Sequence, residues 1–177
     1  MNTNRKLILY IAASLDGFIA APNDDLTFLS MVEKEGEDYG YQKFIDTVDT
    51  VIVGRKTYDK VISMGYEFPH TNKNTYILTR TPRPALGSLQ FYTGNISDLV
   101  NQLKAAPGKN IFCDGGAEAV DLLLKENLID EFYISIIPVL LGDGTPLFKP
   151  GRLTQKLKLI NTTKFDTGLV QLHYTCG

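Results

Sequence analysis

The chain has 177 residues, 44% of them hydrophobic and 21% charged, which suits one domain with a single core. The 18 Lys and Arg are interspersed with 20 Asp and Glu, and this even distribution argues against a nucleic-acid or membrane partner. The apolar run near the start is short and stops at Asp16, so we interpret it as a buried strand and not a signal peptide. Cys113 and Cys176 form no metal-ligand pattern, which indicates reduced thiols in a cytoplasmic protein without a metal.

In the first half, hydrophobic periodicity predicts strands that alternate with helices. A polar loop at residues 22–25 separates strand 1 from a helix with one apolar face, formed by Tyr41, Phe44, Ile45 and Val48. The next predicted elements are a strand at 51–53, a helix at 55–63, a strand at 75–79 and a short strand at 89–92. Ser97 is the predicted N-cap of a further helix, which Pro107 and Gly108 end.

The second half begins with an apolar strand at 111–113, a diglycine turn and an amphipathic helix. We expect the buried face of this helix to carry Ala119, Leu122, Leu123 and Leu128. The solvent-exposed face should carry Glu118, Asp121, Lys125 and Glu126. A long apolar strand at 134–141 follows, and alternating residues on either side of 166–168 predict an antiparallel hairpin. The whole pattern predicts an α/β sheet of about eight mostly parallel strands with about four helices.

Two of the strand-to-helix turns have the composition of phosphate sites. Gly115 and Gly116 allow a tight turn at the start of a helix, although a diglycine alone is more often a simple turn. The second turn, at residues 54–57, reads Gly-Arg-Lys-Thr; its cations oppose the helix dipole unless an anion is bound. Alone, its two basic residues could equally keep a loop soluble. Two such turns in one sheet favour the anion interpretation.

At this point the chain resembles a known family. The segments IAASLDGFIA, VIVGRKTYD, NTYILTR and GGAEAVDLLLKENLIDEFYISIIPVLLGDGTPLF are similar to the dihydrofolate-reductase superfold. Within it they are closest to the C-terminal reductase domain of the bifunctional riboflavin-biosynthesis deaminase/reductase, whereas the zinc pattern of a deaminase is absent. The resemblance implies one three-layer domain over residues 1–177, with a mostly parallel eight-stranded sheet and an antiparallel C-terminal hairpin. It also implies NADPH as cofactor and a small heterocyclic substrate.

The resemblance further nominates cofactor-binding residues, at the two turns and at the ends of neighbouring strands. They are Ala12, Ile19, Gly54, Arg55, Lys56, Thr57, Thr79, Arg80, Gly115, Gly116, Ala117 and Glu118. Thr79 and Arg80 would flank the adenine ribose, and Arg55 or Arg80 would pair with a 2′-phosphate, which favours NADPH over NADH.

A hydride reductase needs few catalytic side chains, because the cofactor carries out the difficult step. His70 lies in a polar loop and His173 on the polar face of the last strand, so we predict that both are surface residues. The candidate catalytic and substrate-binding groups are instead three carboxylates, Asp16, Asp38 and Asp114, and the hydroxyl of Ser135.

Each candidate has a structural alternative. Asp16 either caps a turn with Gly17 or contacts substrate. Asp38 stands sixteen residues before Gly54, where the resemblance places a carboxylate that grips a pterin ring; an acid early in a helix also complements the helix dipole. Asp114 occupies the place of a substrate-contacting Glu in the riboflavin reductases. The Ser135 hydroxyl either faces the substrate or is satisfied by backbone.

The predicted function is an NADPH-dependent reductase that resembles 5-amino-6-(5-phosphoribosylamino)uracil reductase. Two features depart from that family: Tyr10 replaces a Lys four residues before the Ser of SLDG, and GYEFPHTNKN lacks an Asp-Pro segment. Recognition of the phosphoribosyl group therefore stays open. The alternatives are a dihydrofolate or pterin reductase, and a nucleotide-binding module without turnover. The apolar density at 134–141 also predicts a homodimer.

Overall fold

The computed structural model describes residues 4–177. Ten strands lie in this range: β1 (Leu7–Ser14), β2 (Phe18–Ala20), β3 (Val48–Gly54), β4 (Asn74–Leu78), β5 (Leu89–Tyr92), β6 (Asn110–Gly115), β7 (Glu131–Ile137), β8 (Thr145–Pro146), β9 (Leu157–Lys164) and β10 (Val170–Cys176). The same residues form four α-helices: α1 (Tyr41–Ile45), α2 (Arg55–Ser63), α3 (Ile96–Ala105) and α4 (Ala117–Lys125). Two 3₁₀-helices, Pro22–Asp24 and Thr27–Val32, lie between β2 and α1.

Eight strands form one sheet in the order β5-β4-β3-β6-β1-β7-β10-β9. All neighbours are parallel except β10, which runs antiparallel to both β7 and β9. The predicted mostly parallel sheet with an antiparallel C-terminal hairpin is confirmed. Because every strand of this sheet except β10 runs the same way, their carboxyl ends meet at one edge of the sheet, where open α/β folds bind ligands.

The two faces of the sheet carry different helices. One face, which includes Ile52 and Cys113, packs in a single hydrophobic cluster with residues of α3 and α4. The other face carries Phe112 beneath α1, and farther along Val53 packs with Tyr58 of α2. This alternation follows from the two-residue period of a strand, and it produces the three layers that the resemblance implied.

Two helix boundaries differ from the prediction. Helix α1 ends at Ile45, and Val48 is the first residue of β3. The Lys73 ammonium donates hydrogen bonds to the carbonyls of both residues, 3.2 Å and 2.9 Å away, and so holds the chain where it leaves the helix. Helix α3 is capped by Asn95 and not by Ser97, since the Asn95 side chain accepts hydrogen bonds from two backbone amides of the first turn.

Helix α4 buries a different arc from the one that the sequence suggests. Leu122, predicted to be buried, is 46% exposed, whereas Asp121, predicted to be solvent-exposed, is 7% exposed. The helix packs against both the sheet and α3, so the buried arc is wider than a single stripe and is rotated by one residue. Lys125 neutralises the buried Asp121 carboxylate at 2.8 Å. No helix within residues 4–177 is sufficiently long and apolar to cross a membrane.

Candidate active site

The two glycine turns predicted to hold phosphate lie side by side. Strands β3 and β6 are neighbours in the sheet, and they end at Gly54 and Gly115. A Cβ atom on Gly54 would lie 3.6 Å from the carbonyl oxygen of Gly115 and 3.6 Å from the amide of Gly116. Gly115 has φ +98°, a conformation that other residues rarely adopt. The structure therefore brings both predicted turns into one glycine-lined edge.

Thr57 links these turns directly. Its hydroxyl accepts a hydrogen bond of 3.0 Å from the Gly116 amide, and a Cβ atom on Gly116 would come within 2.8 Å of the same oxygen. The Gly116 amide is therefore already occupied by Thr57. The amides that follow it, at the start of α4, have no acceptor within the helix and can still bind an anion.

The basic side chains near this edge differ in their ion-pair partners. The Arg55 guanidinium lies 2.8 Å from the Asp59 carboxylate, one turn along α2. The Lys56 ammonium lies 3.7 Å from Glu118 of α4. Arg80 is exposed just beyond β4, and among the described residues it has no ion-pair partner. Arg80 is thus the more accessible of the two predicted 2′-phosphate ligands.

The remaining predicted cofactor residues lie around the same edge. Ile19 of β2 is half-buried against the main core, and Ala117 is buried at the start of α4. Thr79 directly follows β4, and its hydroxyl oxygen accepts a hydrogen bond from the Thr81 amide at 3.1 Å. The predicted strand 75–79 is therefore shifted by one residue.

A pocket of about 610 Å³ opens beside this edge. Ala12 of β1 and Ser135 of β7 face each other across the two strands and form part of its floor. Asp38 lies on its rim, so three predicted site residues come together here, whereas Asp16 and Asp114 are not among the lining residues. The apolar part of the lining consists of Leu29, Val32, Ile137 and Leu169.

A hydrogen-bond network holds the floor of the pocket. The Gln171 amide nitrogen of β10 lies 2.9 Å from the Tyr10 hydroxyl oxygen and 3.1 Å from that of Ser135. Tyr10 in turn donates to the carbonyl of Tyr39 at 2.9 Å. Ser135 is therefore satisfied by a side chain, an arrangement that neither sequence-based alternative included. Burial raises the pKa of Tyr10, which keeps its phenol neutral.

Asp38 lines the pocket and also stabilises the start of helix α1, which is the structural role that the sequence offered as an alternative. Its two carboxylate oxygens accept hydrogen bonds from the amides of Gly40 and Gln42, both at 2.9 Å, at the start of α1. These hydrogen bonds lower the pKa of Asp38, so the carboxylate is ionised at neutral pH. The carboxylate therefore brings a fixed negative charge to the rim.

Asp114 lies on the same sheet face as this pocket, one strand away. In the parallel register of β1 and β6, Leu9 pairs with Cys113, so the next residues, Tyr10 and Asp114, are neighbours on the opposite face. The Asp114 side chain is 27% exposed. It can therefore reach a molecule that extends from the pocket across β1 towards the glycine edge.

The prediction of a surface position is wrong for His70, whereas His173 is partly exposed. His70 is 3% exposed, packs edge-on against Phe68 and Phe112, and places Nε2 at 3.4 Å from the Asp114 carboxylate. Its loop looked polar, but Phe68 is 2% exposed and anchors the loop in the core. His173 is stacked on Tyr133 with ring centroids 4.0 Å apart and contacts Glu131 at 3.1 Å. His70 thus lies beside the carboxylate that the sequence nominated.

The Asp16 carboxylate has a structural role, but it connects two loops and does not cap the turn with Gly17. One carboxylate oxygen accepts hydrogen bonds from the Ser14 hydroxyl at 2.5 Å and the Leu141 amide at 3.1 Å. The other accepts from the Gly142 amide at 2.7 Å. The Ser14 hydroxyl and these amides lower the pKa of Asp16. Asp16 therefore ties the turn after β1 to the loop that follows β7.

The sequence and the fold are similar to those of known proteins. The family model of the RibD C-terminal domain matches residues 5–171. The uncharacterized protein YwjB of Bacillus subtilis is 43% identical over 171 residues, which cover 96% of this chain and 97% of YwjB. A crystal structure of a putative riboflavin biosynthesis protein from Shewanella is 29% identical, with a TM-score of 0.88 over 97% of this chain and 99% of that one.

More distant structures match in fold. A deaminase and 5-amino-6-(5-phosphoribosylamino)uracil reductase from Thermotoga maritima has a TM-score of 0.74 at 15% identity, over 98% of this chain and 57% of that one. Dihydrofolate reductase from Enterococcus faecalis, complexed with NADP(H), has a TM-score of 0.65 at 17% identity, over 97% and 96% of the two chains. The dihydrofolate-reductase-like fold is confirmed, and the chain belongs to the RibD C-terminal domain family of reductase domains.

Proposed function

We propose that the protein is an NADPH-dependent reductase that transfers hydride to a pyrimidine-type substrate. The observation that carries this proposal is that the glycine-lined edge and the pocket lie on neighbouring strands of one sheet. The edge lies at the ends of β3 and β6, and the pocket floor on β1 and β7. Since β1 pairs directly with β6, molecules bound at the two places would meet at this boundary.

The cofactor side fits a dinucleotide. At Gly115 and Gly116 a Cβ atom would lie 3.1 Å from the Ile11 side chain and 2.8 Å from the Thr57 hydroxyl, so these glycines allow the two turns to approach closely. The first turns of α2 and α4 offer backbone amides for the phosphates, and Arg55 and Arg80 are the candidates for the 2′-phosphate. When bound, NADPH would supply the hydride.

The substrate side would be organised by side chains of the chain itself. Ser135, held by Gln171, presents a hydroxyl at the pocket floor. Asp114, supported by His70, would orient an amine or hydroxyl of a substrate that reaches towards the glycine edge. Tyr10 contributes a neutral aromatic wall. These groups bind and orient, which is what hydride transfer requires of a protein.

A screen of NADPH oxidation over pyrimidine, pterin and dihydrofolate substrates tests this proposal. We expect oxidation above the rate without substrate for a pyrimidine. A dihydrofolate or pterin reductase is the second candidate, and the ionised Asp38 carboxylate on the pocket rim favours it, since such a group can accept hydrogen bonds from a ring amine. NADPH binding without oxidation of any compound would instead support the nucleotide-binding module.

We expect the protein to bind NADPH more tightly than NADH. The Arg80→Gln or Arg55→Gln variant should reduce this difference in affinity between the two cofactors. Each lost charge-assisted contact to a phosphate should cost about 1.5–3 kcal/mol. Titration calorimetry with both cofactors measures the effect. Lys158→Gln is a matched control, because Lys158 is exposed on β9 at the far edge of the sheet. Equal affinities for the two cofactors in the unmodified protein would contradict this prediction.

We also propose a homodimer, although on a different surface from the predicted one. In the segment 134–141, Ile134 and Ile137 are buried within the protomer, whereas Leu140 is 69% exposed, so a single large apolar side chain of this segment is fully at the surface. The edge strand β9 instead exposes Leu157, Leu159 and Ile160 by 40%, 52% and 50%. Exposed apolar residues on an unpaired edge favour association.

Light scattering at micromolar concentration should therefore give twice the protomer mass. Leu159→Lys should shift the protein towards monomer, because it places a charge on the proposed contact. Leu122→Lys is the control, since Leu122 is 46% exposed on α4, away from β9. A monomeric mass for the unmodified protein would remove the proposal.

A further inference from the structure

The rim of the pocket is strongly acidic. Four carboxylates line it: Glu33, Glu35, Glu37 and Asp38. Lys34 is the single cation among the lining residues, and its ammonium lies 3.6 Å from the Asp166 carboxylate outside the pocket. A bound molecule would therefore experience a negative potential.

The pocket also lacks the groups from which proteins build phosphate sites. Such sites use Arg, Lys or the free amides of a helix N-terminus. Arg is absent from the lining. The nearby helix α1 has five residues, and Asp38 itself occupies amides at its start. A phosphate dianion here would face four carboxylates without a free cation, and like charges in such proximity are unfavourable.

The floor of the pocket suits an uncharged ring. Tyr10, Leu29, Val32 and Leu169 supply aromatic and apolar walls. Ser135 is 5% exposed, and its oxygen already accepts from Gln171, so its own proton can be donated to a carbonyl or ring nitrogen of a ligand. The rim carboxylates, in turn, accept hydrogen bonds from amines. Donor and acceptors together match an amino-substituted heterocycle.

We propose that the substrate is an unphosphorylated amino-substituted heterocycle, neutral or cationic, and that the acidic rim excludes phosphorylated analogues. This inference rests on the proposed reductase function and specifies its substrate class. It also accounts for the presence of Tyr10, a residue without a positive charge, at the position where the related riboflavin reductases have a Lys.

The first test compares a matched pair in NADPH oxidation: 5-amino-6-(5-phosphoribosylamino)uracil and the same compound without its phosphate. We expect kcat/KM to be at least about tenfold higher for the dephosphorylated form, since a pocket with four carboxylates and a single lysine disfavours a dianion. Equal or faster turnover of the phosphorylated form would overturn the inference and at the same time support the reductase function.

A binding measurement decides the matter if neither compound is reduced, an outcome that would count against the pyrimidine reductase. Calorimetry with 2,4-diaminopyrimidine, uridine and uridine 5′-monophosphate should then give the tightest binding for the diamine and the weakest for the monophosphate. Binding of the monophosphate as tight as that of uridine, or tighter, would overturn the inference independently of turnover.

The double variant Glu33→Gln/Glu35→Gln tests the cause. Both side chains are exposed and hold no element in place, so folding should be unaffected. Removal of two charges should reduce the discrimination against the phosphorylated compound by about tenfold at low salt, and less at high salt. The control Glu67→Gln/Asp98→Asn removes two exposed carboxylates elsewhere. If both double variants gave the same discrimination, the rim would not be its source.

Discussion

Replacement of Asp114 with Asn is expected to lower kcat/KM about ten- to a hundredfold, a loss of roughly 1.4–2.7 kcal/mol in transition-state stabilisation. Asp114 lies at the carboxyl end of β6 and is 27% exposed, between the pocket and the glycine edge. An amide of the same shape keeps the packing but loses the charge with which a carboxylate would hold a substrate amine or hydroxyl. Kinetics of NADPH oxidation measure the loss.

The same variant should retain its melting temperature and its affinity for NADPH. The carboxylate is partly exposed, so its replacement leaves no buried charge, and the proposed cofactor contacts lie at the glycine turns. Asp98→Asn, on the exposed face of α3, controls for the change of charge. Unaltered turnover would remove Asp114 from the site, and a fall in the melting temperature with normal turnover would assign it a structural role.

His70 supplies a way to separate these roles. Its ring is buried with Nε2 at 3.4 Å from Asp114, and it is not among the residues that line the pocket. His70→Gln retains a polar side chain there, whereas His70→Phe removes it. If His70 fixes the orientation of Asp114, kcat should fall more in the Phe variant than in the Gln variant while the KM for NADPH stays unchanged.

The features that the sequence predicts correctly are those that depend on local chemistry. The strand ending at Gly54 and the helix 55–63 follow from a β-branched run and a glycine, and the structure has the same helix bounds. The diglycine turn and the final hairpin are equally local. Placing two strand-to-helix turns at one edge needs only the rule that parallel strands end together.

The features that the sequence misses depend on contacts between distant parts of the chain. His70 meets Asp114 across 44 positions of sequence, and Gln171 meets Tyr10 across 161. No periodicity within either segment signals these contacts. Leu122 is misassigned for a related reason: packing of α4 against α3 as well as the sheet changes which helix face is buried. The acidic rim likewise depends on how the loop before α1 folds over β1.

A buried arginine, Arg5, connects several elements at the end of the sheet opposite the site. Arg5 is 7% exposed, and its guanidinium donates to the carbonyls of Leu103 and Lys109 at 3.0 Å and 2.6 Å. It also lies 2.5 Å from the Asp49 carboxylate and 2.7 Å from the Thr50 hydroxyl. Arg5 therefore joins the chain before β1 to β3, to the end of α3 and to the residue before β6.

Arg5→Ala should lower the free energy of unfolding by about 3 kcal/mol, since it leaves two carbonyls and a partly buried carboxylate without their donor. The melting temperature should fall by roughly 6–12 °C. Lys6→Ala is the matched control: its ion pair with Glu131 is 47% exposed on the lysine side, and exposed pairs contribute at most about 1 kcal/mol. Both variants should keep kcat/KM at a temperature where they are folded, because the cluster lies at the opposite edge from the site. Equal melting temperatures for the two variants would show that the buried arginine contributes no more than a surface charge, and loss of turnover in folded Arg5→Ala would show that the two edges of the sheet are coupled.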